Sequence, residues 1–337
     1  MKAVAYRTPG PLDREDALVD IMLDTPEAEG RDLLVKVFAV SVNPVDTKVR
    51  LNRLPHGDGW QILGFDASGV VEAVGLEVEN FKPGDAVFYA GSIARPGTNS
   101  EYHLVDERIV GGKPATLTDA EAAALPLTAI TAWEMLFDRL DITRPTPQGG
   151  KTILVIGGAG GVGSITIQLL RALTDLTVIA TASRPETQDW VRGLGAHHVI
   201  DHRRPMAPQI EALGLGAPGF VFSTTHTDQH LADIIELMAP QGRFGLIDDP
   251  AEFAVAALKG KSISLHWELM FTRSLLETPD MADQGKLLNE VAALVDAGRI
   301  RSTATEVAGP IDAATLIKAH AQIEAGTARG KIVLEGF

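Results

Sequence analysis

The stretch TILVIGGAGGVGSITIQLLR, from Thr152 to Arg171, combines an apolar run, a glycine-rich turn and an amphipathic run. Every residue from Thr152 to Ile156 is β-branched or apolar, the pattern of a parallel strand covered on both faces. The turn Gly158-Ala159-Gly160-Gly161-Val162-Gly163 fits G-x-G-x-x-G, and Ile165, Ile167, Leu169 and Leu170 supply an apolar helix face. Gly158 is expected to permit the strand-to-helix turn, Gly160 to let backbone approach a pyrophosphate, and Gly163 to let the helix pack close to the strand. The helix start would then present unpaired N–H groups to the phosphates. A flexible glycine turn is the plain alternative, but it does not account for the flanking strand and helix. The stretch therefore predicts a dinucleotide-binding βα unit.

Around it lies a chain of 337 residues, long enough for two domains, because single cores stop growing at about 250 to 300 residues. Hydrophobic residues at 45% and charged residues at 22% are ordinary for a globular protein. A formal net charge of −14 argues against a nucleic-acid or anionic-membrane binder, since those partners require clustered Lys and Arg. With no cysteine, disulfides, thiolate zinc sites and a catalytic thiol are excluded. No export signal or membrane-spanning run is visible, so a cytoplasmic protein is expected.

Residues 1 to about 125 read as short strands with Gly/Pro punctuation, including Leu33–Val42, Ala67–Val74 and Ala86–Tyr89, which suggests a barrel-like domain. From Ala120 the period becomes helical, with Pro126 as a break, and Pro145 to Gly150 is a loop before the Thr152 strand. Beyond it strands and helices alternate: Val178–Ala182, Glu186–Leu194, His198–Ile200, Phe220–Ser223, Asp228–Met238, Arg243–Ile247 and Ser262–Trp267. About six strands with intervening helices predict a doubly wound parallel sheet. A helix Gly285–Ala297, a strand Thr303–Val307, a helix Ile311–Glu324 and a strand Ile332–Leu334 follow and are expected to return to the first domain. The expected division is 1–125 with 273–337, and 126–272.

An NAD-preferring site carries an acid at the end of the second strand, about 20 residues beyond the glycine turn. Here Ala182 stands at that place, followed by Ser183 and Arg184, a hydroxyl and a planar cation suited to a 2′-phosphate. NADP(H) is therefore the expected cofactor. The alternative is a helix cap at Ser183 and a solvated Arg184.

Several motifs resemble the medium-chain dehydrogenase/reductase superfamily in its zinc-independent, quinone-oxidoreductase-like branch. Ser41-Val42-Asn43-Pro44-Val45-Asp46 resembles its N-P-x-D segment, Leu63 to Val71 its G-x-D-x-x-G-x-V segment, Phe81 to Val87 its G-D-x-V turn, and Pro126 to Trp133 its crossing helix. Phe222 to His230 and His266 to Ser274 resemble a subgroup often labelled zinc-type alcohol dehydrogenase-like. The resemblance implies a GroES-like β-barrel catalytic domain plus a Rossmann doubly wound parallel-sheet domain, and a homodimer. The zinc enzymes carry Cys at the position matching Asn43, His at that of Phe65 and usually Cys near Leu127; only Asp66 could still ligate, and one carboxylate does not hold zinc. His226 and His230, at i, i+4 around Asp228, could form a metal-binding face, but a helix capped by Thr227 or Asp228 is the stronger reading. No metal is expected.

Without a Lewis acid, hydride transfer to a simple ketone lacks its electrophilic help. A quinone or an α,β-unsaturated carbonyl avoids the difficulty, because its charge delocalises and a few hydrogen-bond donors suffice. NADPH-dependent reduction of such a small molecule is the expected activity, with a zinc alcohol dehydrogenase using unusual ligands and a non-catalytic NADPH-binding protein as the rivals. The resemblance implies that Asn43 and Thr131 hold the nicotinamide end and that Asp46 braces the Asn43 loop, where Asn43 as a mere turn residue before Pro44 is the alternative. It implies further that Gly160, Gly161 and Val162 cradle the pyrophosphate, that Ser183 and Arg184 take the adenosine phosphate with His202 near the adenine, and that Thr225, His226 and Ile247 line the nicotinamide bed. Trp60, His266, Trp267 and Met270 are candidates for the substrate pocket or, equally, for core packing. Tyr102, His266 and water are the conceivable proton donors.

Overall fold

A computed structural model describes residues 1–55, 59–147 and 150–337. Gln148 and Gly149, part of the loop read from Pro145 to Gly150, lie outside the described residues. The chain divides into two compact units, one formed by Met1–Ile130 with Phe271–Phe337 and the other by Thr131–Met270.

In the second unit the strand Thr152–Ile156 is buried along its whole length. Thr177–Thr181 pairs with it on one side and Phe220–Ser223 on the other, both parallel. His198–Ile200 extends the sheet beyond the first of these; Arg243–Leu246 and Ser264–Trp267 extend it beyond the second. The six parallel strands thus run outward in both directions from Thr152–Ile156, the doubly wound order, with a topological switch point between that strand and Phe220–Ser223. Alternate residues Leu154, Ile156, Ile179, Val221, Phe244 and Leu246 meet Met206, Ile210, Leu231 and Ile234 in one core. Each such side chain contributes roughly 1.5–3 kcal/mol on burial, which fixes the strand register against a slip of one residue.

Two expected boundaries move for local reasons. The last strand begins at Ser264 rather than Ser262, because a 3₁₀ turn over Val255–Lys261 ends with Ser262 in the left-handed region at φ 52°. The helical run from Ala120 is split into Asp119–Ala123, capped by Thr118, and Pro126–Trp133, with Pro126 at a first helical position where its missing N–H is harmless. That helix continues as a π-type turn over Glu134–Arg139, in which Leu140 N–H reaches Met135 O.

The first unit holds a seven-stranded sheet and a three-stranded sheet. Its longest strand, Asp32–Ser41, pairs antiparallel with Asp66–Val74, Tyr102–Asp106 and Lys331–Glu335. Ala39 and Val333 pack with Ala120, Ala123 and Ala124 beneath them. Small residues here let the Asp119–Ala123 helix lie close to the sheet. Among the described residues no helix is long and apolar enough to cross a membrane.

Candidate cofactor site and buried polar centre

The glycine turn leads directly into the helix Gly161–Leu173, whose N-cap is Gly160. The residue in the left-handed region is Gly157, at φ 78°, so the turn is made one position earlier than expected at Gly158. Gly157 N–H donates to Thr181 Oγ1 at 3.0 Å, tying the turn to the neighbouring strand. A Cβ on Gly163 would lie 2.3 Å from Gly157 O, whereas one on Gly160 would find that same oxygen no nearer than 3.5 Å. Gly163 is required by the fold itself. Gly160 leaves space that no atom of the described chain fills, beside a helix start that no side chain caps. A helix of this length with that opening is fitted to the pyrophosphate of a dinucleotide.

Past the end of Thr177–Thr181 come Ala182, Ser183 and Arg184, with no acid among them. Arg184 Nε lies 3.0 Å from Glu186 Oε1, and both side chains are solvent-accessible. Arg203, which no motif marks in the sequence, donates through its guanidinium to Ser183 O and pairs with Asp201 at 2.9 Å. The strand end therefore carries two guanidiniums, each already holding a carboxylate.

Thr225 and His226 follow the strand Phe220–Ser223, and Thr225 Oγ1 lies 2.7 Å from His226 Nδ1. The helix Thr227–Leu237 is not capped by its own Thr227 or Asp228 side chain; Asp248 accepts from both Thr227 N–H, at 2.8 Å, and Thr227 Oγ1. His226 is its N-cap residue, in the left-handed region at φ 52°. Half-buried Ile247 immediately precedes Asp248. The His202 and His230 rings meet edge to face, 5.9 Å between centroids, and His202 Nδ1 is buried without a partner among the described residues. Burial, with the His230 charge second for His202 and the His226 charge second for His230, holds both imidazoles below their ordinary range, so both rings are neutral at neutral pH.

In the first unit Asn43 is the N-cap of the helix Pro44–Asn52, which places it at a helix start rather than in an isolated turn. Its N–H donates to Asp46 Oδ2 at 2.8 Å, and Gly64 N–H donates to Asp46 Oδ1 at 3.0 Å. Burial pushes the Asp46 carboxyl up to about 7 against the lowering effect of the Asn43 hydrogen bond and the Lys331 charge. Asn43 Nδ2 donates to Asp66 Oδ2 at 2.7 Å, and Lys331 Nζ donates to both Asn43 Oδ1 and, at 3.0 Å, Asp66 Oδ2. Ser41 Oγ and Leu127 N–H complete the set around Asp66, each at 2.7 Å. Asn43, Asp46, Asp66 and Lys331 are all buried. Lys331 had a readable sign: a lysine opening the apolar run Ile332-Val333-Leu334, in a strand whose first four residues are buried.

The remaining candidates separate by environment. Thr131 is buried on the helix Pro126–Trp133. Trp60 is half-buried, packs with Ala3, Ala5 and Ile62, and carries the Arg7 guanidinium 4.1 Å above its ring. His266 Nε2 lies 3.0 Å from Ser264 Oγ on the edge strand, where burial lowers the imidazole, and Trp267 is 51% exposed. Met270 is buried.

The model of the family described as zinc-binding dehydrogenase matches residues 194–334, and that of the alcohol dehydrogenase GroES-like domain matches residues 29–123. A zinc-type alcohol dehydrogenase-like protein of Staphylococcus aureus (strain COL) is 39% identical, covering 99% of both chains. The mitochondrial NAD(P)H oxidoreductase RTN4IP1 of Homo sapiens is 31% identical, covering 90% of this chain and 81% of that one. Among solved structures, a candidate zinc-dependent alcohol dehydrogenase of Rhizobium etli CFN 42 is 62% identical with a TM-score of 0.98, covering 100% of this chain and 98% of that one. A quinone oxidoreductase of Pseudomonas syringae pv. Tomato DC3000 is 26% identical with a TM-score of 0.83, covering 99% of each.

The zinc in the first family's description can be tested against the side chains at hand. Asn43, Phe65 and Leu127 offer no thiolate or imidazole, and both oxygens of Asp66 already accept hydrogen bonds, one from an ammonium that repels a cation. Among the described residues, no three His, Asp or Glu side chains converge to hold a metal. This donor set does not fit zinc.

Proposed function

The chain belongs to the medium-chain dehydrogenase/reductase superfamily, in its quinone-oxidoreductase-like branch, and we propose that it reduces quinones or α,β-unsaturated carbonyls with NADPH, without a metal. The observation that carries this reading is the Asp66 centre, where hydrogen-bond donors and the Lys331 ammonium occupy the carboxylate that would remain to a cation. An acceptor that delocalises its own developing charge needs donors rather than a Lewis acid.

Bound NADPH supplies the hydride. The Gly161 and Val162 amides at the Gly160 opening hold the pyrophosphate. Ser183 and Arg184 take the adenosine 2′-phosphate, for which Arg184 exchanges Glu186; an exposed ion pair of that kind is worth only about 0–1 kcal/mol. Neutral His202 offers a flat apolar face for the adenine, while Thr225, His226 and Ile247 line the nicotinamide bed. Asn43 and Thr131 orient the nicotinamide end, with Asp46 bracing Asn43 through its N–H. Trp60, His266, Trp267 and Met270 serve the acceptor. A homodimer is proposed from the resemblance to the superfamily alone.

NADPH oxidation measured against quinones, enones and simple ketones, with NADH and EDTA controls and elemental analysis of untagged protein, tests this reading. Turnover of conjugated acceptors insensitive to EDTA is expected. Near-stoichiometric zinc, or activity confined to simple ketones and abolished by EDTA, overturns it.

A further inference from the structure

Two charges, Asp66 and Lys331, meet in the interior of the first unit, with side-chain exposures of 0% and 3%. A buried pair of this kind is costly to desolvate and contributes little stability compared with apolar packing, so its presence calls for a use. The use is visible in the third member. The Asn43 carboxamide turns its oxygen to the Lys331 ammonium and its nitrogen to the Asp66 carboxylate. The reversed amide would set NH₂ against NH₃⁺ and a carbonyl oxygen against a carboxylate, so the two charges dictate one orientation. Lys331 reaches the side chains at positions 43 and 66, and the backbone of Leu127 is fastened to the same carboxylate. Two of these positions, 43 and 127, are among those at which the zinc enzymes that the chain resembles carry their ligands, and Asp66 directly follows the third, Phe65.

Resting on the metal-free oxidoreductase reading, we propose that Lys331 is a built-in cation that takes over the organising role of a metal at this centre: a positioning residue that fixes the Asn43 carboxamide for hydride transfer. Lys331 touches neither cofactor nor acceptor in this role. It acts through Asn43, with Asp66 as the counter-charge that keeps an ammonium in the interior.

The experiment uses the full chain with Lys331→Ala and with the paired change Lys331→Met and Asp66→Asn. Lys331→Ala leaves the Asp66 charge without its cation; a lowered thermal midpoint and a kcat reduced at least tenfold are expected. Methylammonium should restore both in a saturable way that tetramethylammonium at equal ionic strength does not. The paired change removes both charges while keeping an acceptor for Leu127 N–H, so it guards against a variant that merely fails to fold. It should recover the thermal midpoint, yet keep the low kcat with KM for NADPH changed less than threefold. A paired variant that turns over like the parent overturns the positioning role, as does Lys331→Ala with unaltered kcat. Should the parent protein show no turnover with any acceptor, the functional reading fails separately. The ammonium rescue of the thermal midpoint then decides whether Lys331 is a built-in cation: saturable rescue upholds it and its absence overturns it.

Discussion

Arg139 Nε lies 2.8 Å from Glu268 Oε2, and the same guanidinium lies 3.8 Å from a second buried carboxylate, Glu134. One cation faces two carboxyl groups at a place where both have 0% side-chain exposure. Burial, then the Glu134 charge, pushes Glu268 up to about 8. The folded protein therefore binds this proton more tightly than the unfolded chain, whose Glu titrates near 4.3. The Glu268 contribution to stability is fully present below that value and is lost as pH rises towards about 8. Thermal midpoints at pH 6, 7.5 and 9 should decline more steeply for the parent than for Glu268→Gln. Parallel slopes would show that the pair holds no extra proton.

His320 produces the opposite slope. It is fully buried, neither ring nitrogen has a partner among the described residues, and burial beside Arg50 pushes the imidazole down to about 3. The unfolded chain binds this proton first, so the contribution is intact above about 6.5 and is lost as pH falls towards 3. Each pH unit in that window costs up to about 1.4 kcal/mol. His320→Leu should narrow the gap between thermal midpoints at pH 8 and pH 5; an unchanged gap would place the acid sensitivity elsewhere.

On the proposed reading, cofactor preference rests on Arg184. Its exposed pairing with Glu186 is easily exchanged, whereas its charge-assisted bonds to a phosphate are worth about 1.5–3 kcal/mol. Arg184→Ala should weaken NADPH binding by roughly tenfold or more while leaving NADH within about twofold. Equal losses in a direct titration of both cofactors would remove the phosphate from this residue.

The glycines of the turn make a matched pair of tests. A Cβ at Gly163 would collide with Gly157 O at 2.3 Å, so Gly163→Ala should lower the thermal midpoint of the protein itself. Gly160 has φ −73° and a Cβ there would meet Gly157 O at an ordinary contact distance of 3.5 Å, so Gly160→Ala should keep stability within about 0.5 kcal/mol. On the proposed reading it should nevertheless weaken NADPH binding at least tenfold, because the methyl fills the opening assigned there to the pyrophosphate. A Gly160→Ala protein that binds normally would refute the cradle.

The sequence by itself determined the second unit well, because its signals are local. An apolar pentad, a glycine turn and a helical period lie within the twenty residues from Thr152 to Arg171, and the strands His198–Ile200 and Phe220–Ser223 are bounded where their composition changes. It was less informative where the partner of a group is remote. The cap of the helix at Thr227 comes from Asp248 on the next strand's end, and the turn residue is Gly157 because Thr181 anchors its N–H. The centre around Asn43 shows the limit most plainly: Lys331 stands 265 positions from Asp66, and nothing in either neighbourhood pairs them. Periodicity records which face of an element is buried, but the electrostatic cost of a buried charge is met by whichever partner the fold brings alongside. That choice was made by the sheet, when Lys331–Glu335 paired with Asp32–Ser41 and Asp32–Ser41 with Asp66–Val74.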